Sequence, residues 1–184
     1  MIKNVKINGL KELESYLKVL PAKLQKNVLR GAMRKGMKEI QKEAKARAPV
    51  GPPSGYSAKA GGYAGALRDS IRISTRAFRF QVRVALKAGG ELKGKNVDVF
   101  YAHFLEWGTA PHTINSKRGM RIGGKVFFSV EHPGIKPRPF MRPALDMKHT
   151  QAVIETARAM ANKLRTKHGI DVPDFETTLE DALV

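Results

Sequence analysis

Residues 22–48 read AKLQKNVLRGAMRKGMKEIQKEAKARA, and this stretch decides the fold class. Leu24, Val28, Ala32 or Met33, Met37, Ile40, Ala44 and Ala48 recur every three to four residues, which is the stripe of a helix with one buried face. The remaining faces carry Lys23, Lys26, Arg30, Arg34, Lys35, Lys38, Lys42, Lys45 and Arg47 against only Glu39 and Glu43. Pro49 ends the helix, because the residue before a proline avoids helical dihedrals. Gly31 and Gly36 each cost about 1 kcal/mol relative to alanine inside a helix. They are either tolerated flaws or places where another backbone comes close.

Upstream, Leu10, Leu13, Leu17 and Leu20 mark a short helix, after which Pro21 either breaks it or starts the next one. Residues 2–8 alternate loosely, as an edge strand would. Downstream, residues 51–64 are rich in glycine and read as a mobile loop; without a Gly-Lys-Ser/Thr ending they do not form a phosphate-binding loop. Residues 65–70 make a short turn or a helical turn, and 71–75 alternate as a strand. Phe78, Phe80, Val82, Val84 and Leu86 alternate with Arg79, Gln81, Arg83 and Ala85, giving a strand with one apolar and one basic face. After a glycine turn, 97–100 read as a returning strand, 113–124 as a basic excursion and 126–130 as another short strand. A second long helix covers 144–165, with Pro143 in its first turn and His168-Gly169 at its end. Helix, strands, helix in that order predicts an α+β domain, with an antiparallel sheet packed against the two long helices.

Two segments are unusually constrained: Tyr101-Ala-His-Phe-Leu-Glu-Trp-Gly-Thr109, running on to His112, and His132-Pro-Gly-Ile-Lys-Pro-Arg-Pro-Phe-Met-Arg-Pro-Ala-Leu145. Their glycines and prolines restrict the backbone while Tyr101, Phe104, Leu105, Trp107, Phe140 and Met141 supply apolar anchors. Trp107 and Phe140 are expected to pack between the sheet and the second helix. Glu106 reads as either a general base or, preferably, a carboxylate that fastens a turn through backbone N–H groups or an arginine.

The chain has 184 residues and a formal charge of +18, unevenly placed. From Gly169 onward there are five acids and no Lys or Arg, which leaves +23 on residues 1–168. The organisation expected is one domain over 1–168 and an acidic extension over 169–184, with apolar points at Ile170, Val172, Phe175, Leu179 and Leu183. A body so basic attracts polyanions, nucleic acid first. Lys35, Lys38, Lys42, Arg79 and Arg83 are the candidate DNA-facing residues, suited to phosphate contact and not to base readout. The alternative is a basic surface that meets an acidic neighbour, including the extension of the same or an adjacent subunit.

The absence of cysteine excludes disulfides, thiolate metal sites and a cysteine nucleophile, and fits synthesis in a reducing cytoplasm. No run is long and apolar enough to span a membrane, and the first residues lack the apolar region of a secretory signal. His103, His112 and His132 lie in the constrained region but lack metal-site spacing, so no metal and no cofactor is expected. Asp69 and Ser70 are adjacent but do not form a nucleophile–base pair, and no Gly-x-Ser-x-Gly elbow surrounds them. The expectation is a protein that assembles and does not catalyse.

Four blocks stand in order: Ala44-Lys-Ala-Arg-Ala-Pro-Val50, Gly65-Ala-Leu-Arg-Asp-Ser-Ile71, Tyr101 to Thr109, and Pro137-Arg-Pro-Phe-Met-Arg-Pro-Ala-Leu145. In this the chain resembles the neck or tail-completion proteins of long-tailed bacteriophages, which act at the head–tail junction. The loop 51–64 and the acidic extension depart from that pattern. The resemblance implies a structural virion subunit that forms a ring, sixfold in this family. Its partners would be head-completion or connector proteins and tail terminator or tail tube proteins. Tyr101, Glu106, Trp107, Gly108, Thr109, Pro139, Phe140 and Pro143 are then its structural motif. Tyr56, Tyr63, Phe175 and Leu179 are candidate subunit contacts. A ring that passes DNA would gather each subunit's positive potential around one axis.

Overall fold

The computed structural model describes residues 10–51, 63–77, 81–92 and 98–172. The expected strand at 2–8, most of the loop 51–64 and the extension beyond Val172 lie outside the described residues.

Helix α1 (Leu10–Lys18) turns Leu13 and Leu17 inward, one helical turn apart. Pro21 then opens the next helix: its carbonyl accepts the N–H groups of Leu24 and Gln25, and the Gln25 side chain closes the connection on the Leu20 carbonyl at 2.7 Å. Helix α2 (Ala22–Arg47) buries Val28, Ala32, Gly36, Ile40 and Ala44 along one strict four-residue line. Against that line lies α5 (Met141–His168), which buries Ala144, Ala152, Ile154, Ala157, Ala159, Ala161 and Leu164. Small residues dominate both lines, so the helix axes approach closely. The pairing of α2 with α5 is the largest contact between elements in the fold.

Gly36 explains part of that closeness. A Cβ there would collide with Thr156 Oγ1 and with the Ala152 carbonyl oxygen. Backbone does approach backbone at this glycine, whereas the obstacle at Gly31 is only the flexible end of the Lys163 side chain. The far end of α5 closes on Gly169 at φ 62°, whose N–H bonds the Arg165 carbonyl while Ile170 N–H bonds that of Leu164. The Gly169 bond is the 5→1 bond of an αL cap.

Short helix α3 (Ala66–Ser70) leads into β1 (Arg72–Ala77), which pairs antiparallel with β2 (Val82–Lys87) from Arg72 opposite Lys87 to Ala77 opposite Val82. This ribbon packs on α2. Residues 78–80, the start of the predicted strand, are outside the described residues. Of the returning strand expected at 97–100, residue 97 lies outside the described residues and the rest forms no strand. Gly89 and Gly90, at φ 86° and 79°, turn the chain, and among the described residues the pairing here is a Glu91–Asp98 bridge and a Val99–Gly90 hydrogen bond. Val99 then drops fully into the core, and α4 (Ala102–Trp107) follows.

The basic excursion at 113–124 is instead a strand. β3 (His112–Ile122) pairs antiparallel with β4 (Lys125–His132), with one irregularity between Asn115 and Met120. Gly123 and Gly124, at φ 55° and 82°, make the two-residue turn between them, the type that matches strand twist. The expected antiparallel sheet is thus two separate two-stranded ribbons, and the α+β class stands. The first ribbon is packed on the helices. The second makes no more than marginal contact with any other described element.

Two buried clusters result. One joins Ile40, Ala44, Leu67, Ile71, Val99, Ala102, Phe140 and Ala144, where α2, α3, α4 and the start of α5 meet. The other joins Leu13, Leu17, Val28, Ile154, Ala157, Leu164 and Val172, where α1 closes over the far halves of α2 and α5. Among the described residues no helix is long and apolar enough to cross a membrane.

Candidate functional site

Helix α4 is six residues long, starts on the Tyr101 carbonyl, and stops at Gly108 with φ 73°. It is too short to hold itself together. What holds it is Glu106, only 5% exposed. One carboxylate oxygen accepts the backbone N–H groups of Phe140 and Met141 at 2.8 and 2.9 Å. The other accepts the Arg142 N–H at 3.0 Å and Arg142 Nε at 3.2 Å. The same guanidinium donates from Nη2 to the Glu106 carbonyl at 2.8 Å.

This geometry caps α5 from outside its own chain segment. The first N–H groups of a helix have no partner within it, and their partial positive charge favours an anion. Glu106 takes those of residues 140, 141 and 142, and Pro143 has none to satisfy. Burial alone pushes the Glu106 carboxyl up. The N–H donors of Met141, Phe140 and Arg142 and the guanidinium more than offset that, and hold it below its ordinary value of 4.5. A carboxylate committed to four donors is a fastening and a poor base.

The two constrained segments are also stitched side by side. Thr109 N–H donates to the Ile135 carbonyl at 3.0 Å and Ile135 N–H returns to Thr109 O and Oγ1 at 3.2 and 3.0 Å. Arg138 N–H reaches the Leu105 carbonyl at 2.7 Å. A Cβ at Gly108 would lie 2.6 Å from the Ile135 carbonyl oxygen, and Gly134 faces Thr109 and Ala110 as closely, so both glycines are required by the pairing as well as by positive φ. Pro137 and Pro139 straighten the run into Phe140, which is fully buried.

Trp107 corrects the sequence reading. It is 65% exposed, with the Arg142 guanidinium 4.1 Å from its ring centroid, so it does not pack between sheet and helix. Glu106 faces the core, and the next residue along so short a helix points away from it. Arg142 thus serves both neighbours: it pairs with Glu106 and stacks on Trp107.

Lys35, Lys38 and Lys42 are all exposed and share a face of α2 by their three- and four-residue spacing. Arg83 is exposed on β2; Arg79 lies outside the described residues. Tyr63 is half-buried and donates to Asp69 at 2.6 Å. Tyr101 is half-buried and its hydroxyl pKa is raised by burial and then by the neighbouring Tyr63. Tyr56, Phe175 and Leu179 lie outside the described residues.

Ser70 is fully buried, donating to the Leu67 carbonyl at 2.7 Å and accepting the Gly89 N–H at 2.9 Å. It pins the glycine turn, while Asp69 points to Tyr63. His112 and His132 face each other across β3 and β4 with ring centroids 5.0 Å apart, whereas His103 lies against Phe104. Among the described residues no group of three or more His, Asp or Glu side chains is arranged to hold a metal ion.

Sequence reasoning missed Arg142 and β3; β4 stands where a short strand is expected at 126–130. The first was visible only as the Arg of Phe-Met-Arg-Pro; the second had its signal in Gly123-Gly124 between two runs of chain.

No curated protein and no solved structure matches the chain significantly. A family model described as "Bacteriophage HK97-gp10, putative tail-component" matches residues 11–108, which takes in α1, α2, the first ribbon and Glu106. That match spans more than half of the sequence, and the chain belongs to the HK97-gp10-like family of bacteriophage tail components.

Proposed function

We propose that this tail component is a non-enzymatic tail-completion subunit of the head–tail junction, which closes into a ring, sixfold by the resemblance, around the DNA channel. Its axial neighbours in this reading are head-completion or connector proteins and tail terminator or tail tube proteins. The observation that carries the reading is the β3–β4 ribbon. Val126 and Phe128 stand exposed on it, away from both buried clusters, so the subunit carries apolar surface that its own core does not cover. Such surface suits a heterologous contact repeated around an axis. The Lys35–Lys38–Lys42 face would then line the lumen against genomic DNA.

A second reading, a nonspecific nucleic-acid-binding protein, is favoured by the charge of +23 on residues 1–168. Both properties can belong to one molecule, but only the junction reading demands a closed ring. Sedimentation of the purified protein at micromolar concentration separates them. The expected result is a single species of about six times the 20.4 kDa subunit mass, with ring images in negative stain. A monomer at every concentration overturns the ring and leaves the nucleic-acid reading.

A further inference from the structure

The projecting ribbon and the acidic end of the chain are complementary. By strand alternation Val126, Phe128 and Val130 share one face of β4, and Ile114 and Arg121 lie opposite Val130 and Val126 across the register. Phe128 is 64% exposed, and Val126 and Phe128 both lie over Gly119. Lys117, Arg118, Arg121 and Lys125 make the outer part of the ribbon basic.

At the other end of the molecule the point of departure of the tail is fixed. Arg165 donates from Nε and Nη2 to the Val172 carbonyl at 2.9 and 2.6 Å, and Val172 is buried among the α1–α5 contacts. The sequence that follows, 173–184, carries Asp174, Glu176, Glu180 and Asp181 and no Lys or Arg. Phe175, Leu179 and Leu183 recur in it every four residues, the spacing of one apolar face.

The ring reading decides between the chain's own ribbon and a neighbour's. A heterologous contact repeated around an axis joins one surface of a subunit to a different surface of the next, and the acidic tail and the basic ribbon are two such surfaces.

We propose that the acidic tail of one subunit docks on the β3–β4 ribbon of the next. Phe175 and Leu179 meet the Val126–Phe128 face, and the carboxylates meet Arg118 and Arg121. The proposal rests on the ring reading above and names its inter-subunit contact. Opposite charge on the two surfaces also disfavours ribbon-to-ribbon pairing, in which the basic outer parts would repel.

The absence of cysteine makes the test direct. Full-length Phe128→Cys and Leu179→Cys proteins, one bearing a size tag, are mixed and oxidised, and the mixed disulfide dimer is read on a denaturing gel. Phe128 is exposed, so its substitution leaves the buried clusters intact. A mixed dimer is expected, and adding Arg118→Glu and Arg121→Glu to the Phe128→Cys protein should lower its yield about tenfold. If sedimentation still shows the ring but no mixed dimer forms, the docking proposal is wrong and the ring stands. A monomer without mixed dimer ends both. An internal disulfide alone in the Phe128→Cys/Leu179→Cys double variant overturns docking between subunits.

Discussion

Glu106→Ala is expected to lower the unfolding free energy by about 3 kcal/mol, the cost of stripping a buried, multiply bonded carboxylate from its partners. Three N–H groups at the start of α5 and the Arg142 guanidinium lose their common acceptor at once. Helix α4 loses its attachment to the start of α5 in the same change. For a chain of this length the shift in Tm is about 10 °C. Glu106→Gln keeps the shape and one acceptor oxygen but turns an NH₂ toward N–H donors, so about 2 kcal/mol is expected.

The pH dependence separates the charged interaction from mere packing. The Glu106 carboxyl is held below its ordinary value of 4.5 when folded, so its contribution is complete above that value and is lost as pH falls through the folded pKa. The wild type should therefore lose more stability than Glu106→Gln as pH falls below 4.5 and on through the folded pKa, and the two should converge at the acid end. Urea titrations at several pH values measure this. A constant difference across the range would show that the charge itself does not matter.

Gly36→Ala is the second large effect, and its direction is unusual. In an exposed helix interior the change stabilises by about 1 kcal/mol. At Gly36 the new methyl meets Thr156 Oγ1 and the Ala152 carbonyl oxygen, and neither can move away: Thr156 Oγ1 is itself bonded to that carbonyl at 2.7 Å. The two long helices must separate, for a net loss of about 2 kcal/mol. Gly31→Ala is the control, since only the end of Lys163 stands in its way and that side chain can swing aside. It should be neutral or mildly stabilising. Equal effects at the two positions in thermal unfolding would contradict the close approach at Gly36.

How much of this was legible beforehand differs by element. The first long helix declared itself because it buries one stripe, and a stripe leaves a period in the sequence; α5 buries residues on two sides and was legible more from its ends, Pro143 and His168-Gly169. Gly36 was legible as a question, flaw or close approach, but its answer depends on α5, more than a hundred residues away. The Glu106 fastening was readable in kind, because a lone acid between Leu105 and Trp107 has few other uses in a basic chain. Its partners were not, since they are backbone groups and leave no mark in the side-chain pattern. Trp107 misled because size suggests burial, whereas neighbouring positions on a single-turn helix cannot both face one core. β4 was legible as a short strand, but β3 escaped because cross-strand hydrogen bonds hold it and not one buried face, so it lacks clean alternation.

In the function proposed here the basic face of α2, the uncovered ribbon and the acidic tail serve a subunit that works between head and tail. Deleting the coding sequence from a phage genome that carries it, with complementation from a plasmid, tests that role most directly. The junction account predicts DNA-filled heads and separate tails by electron microscopy, with infectious titre restored by the wild-type protein. Joined, infectious particles from the deletion would contradict it.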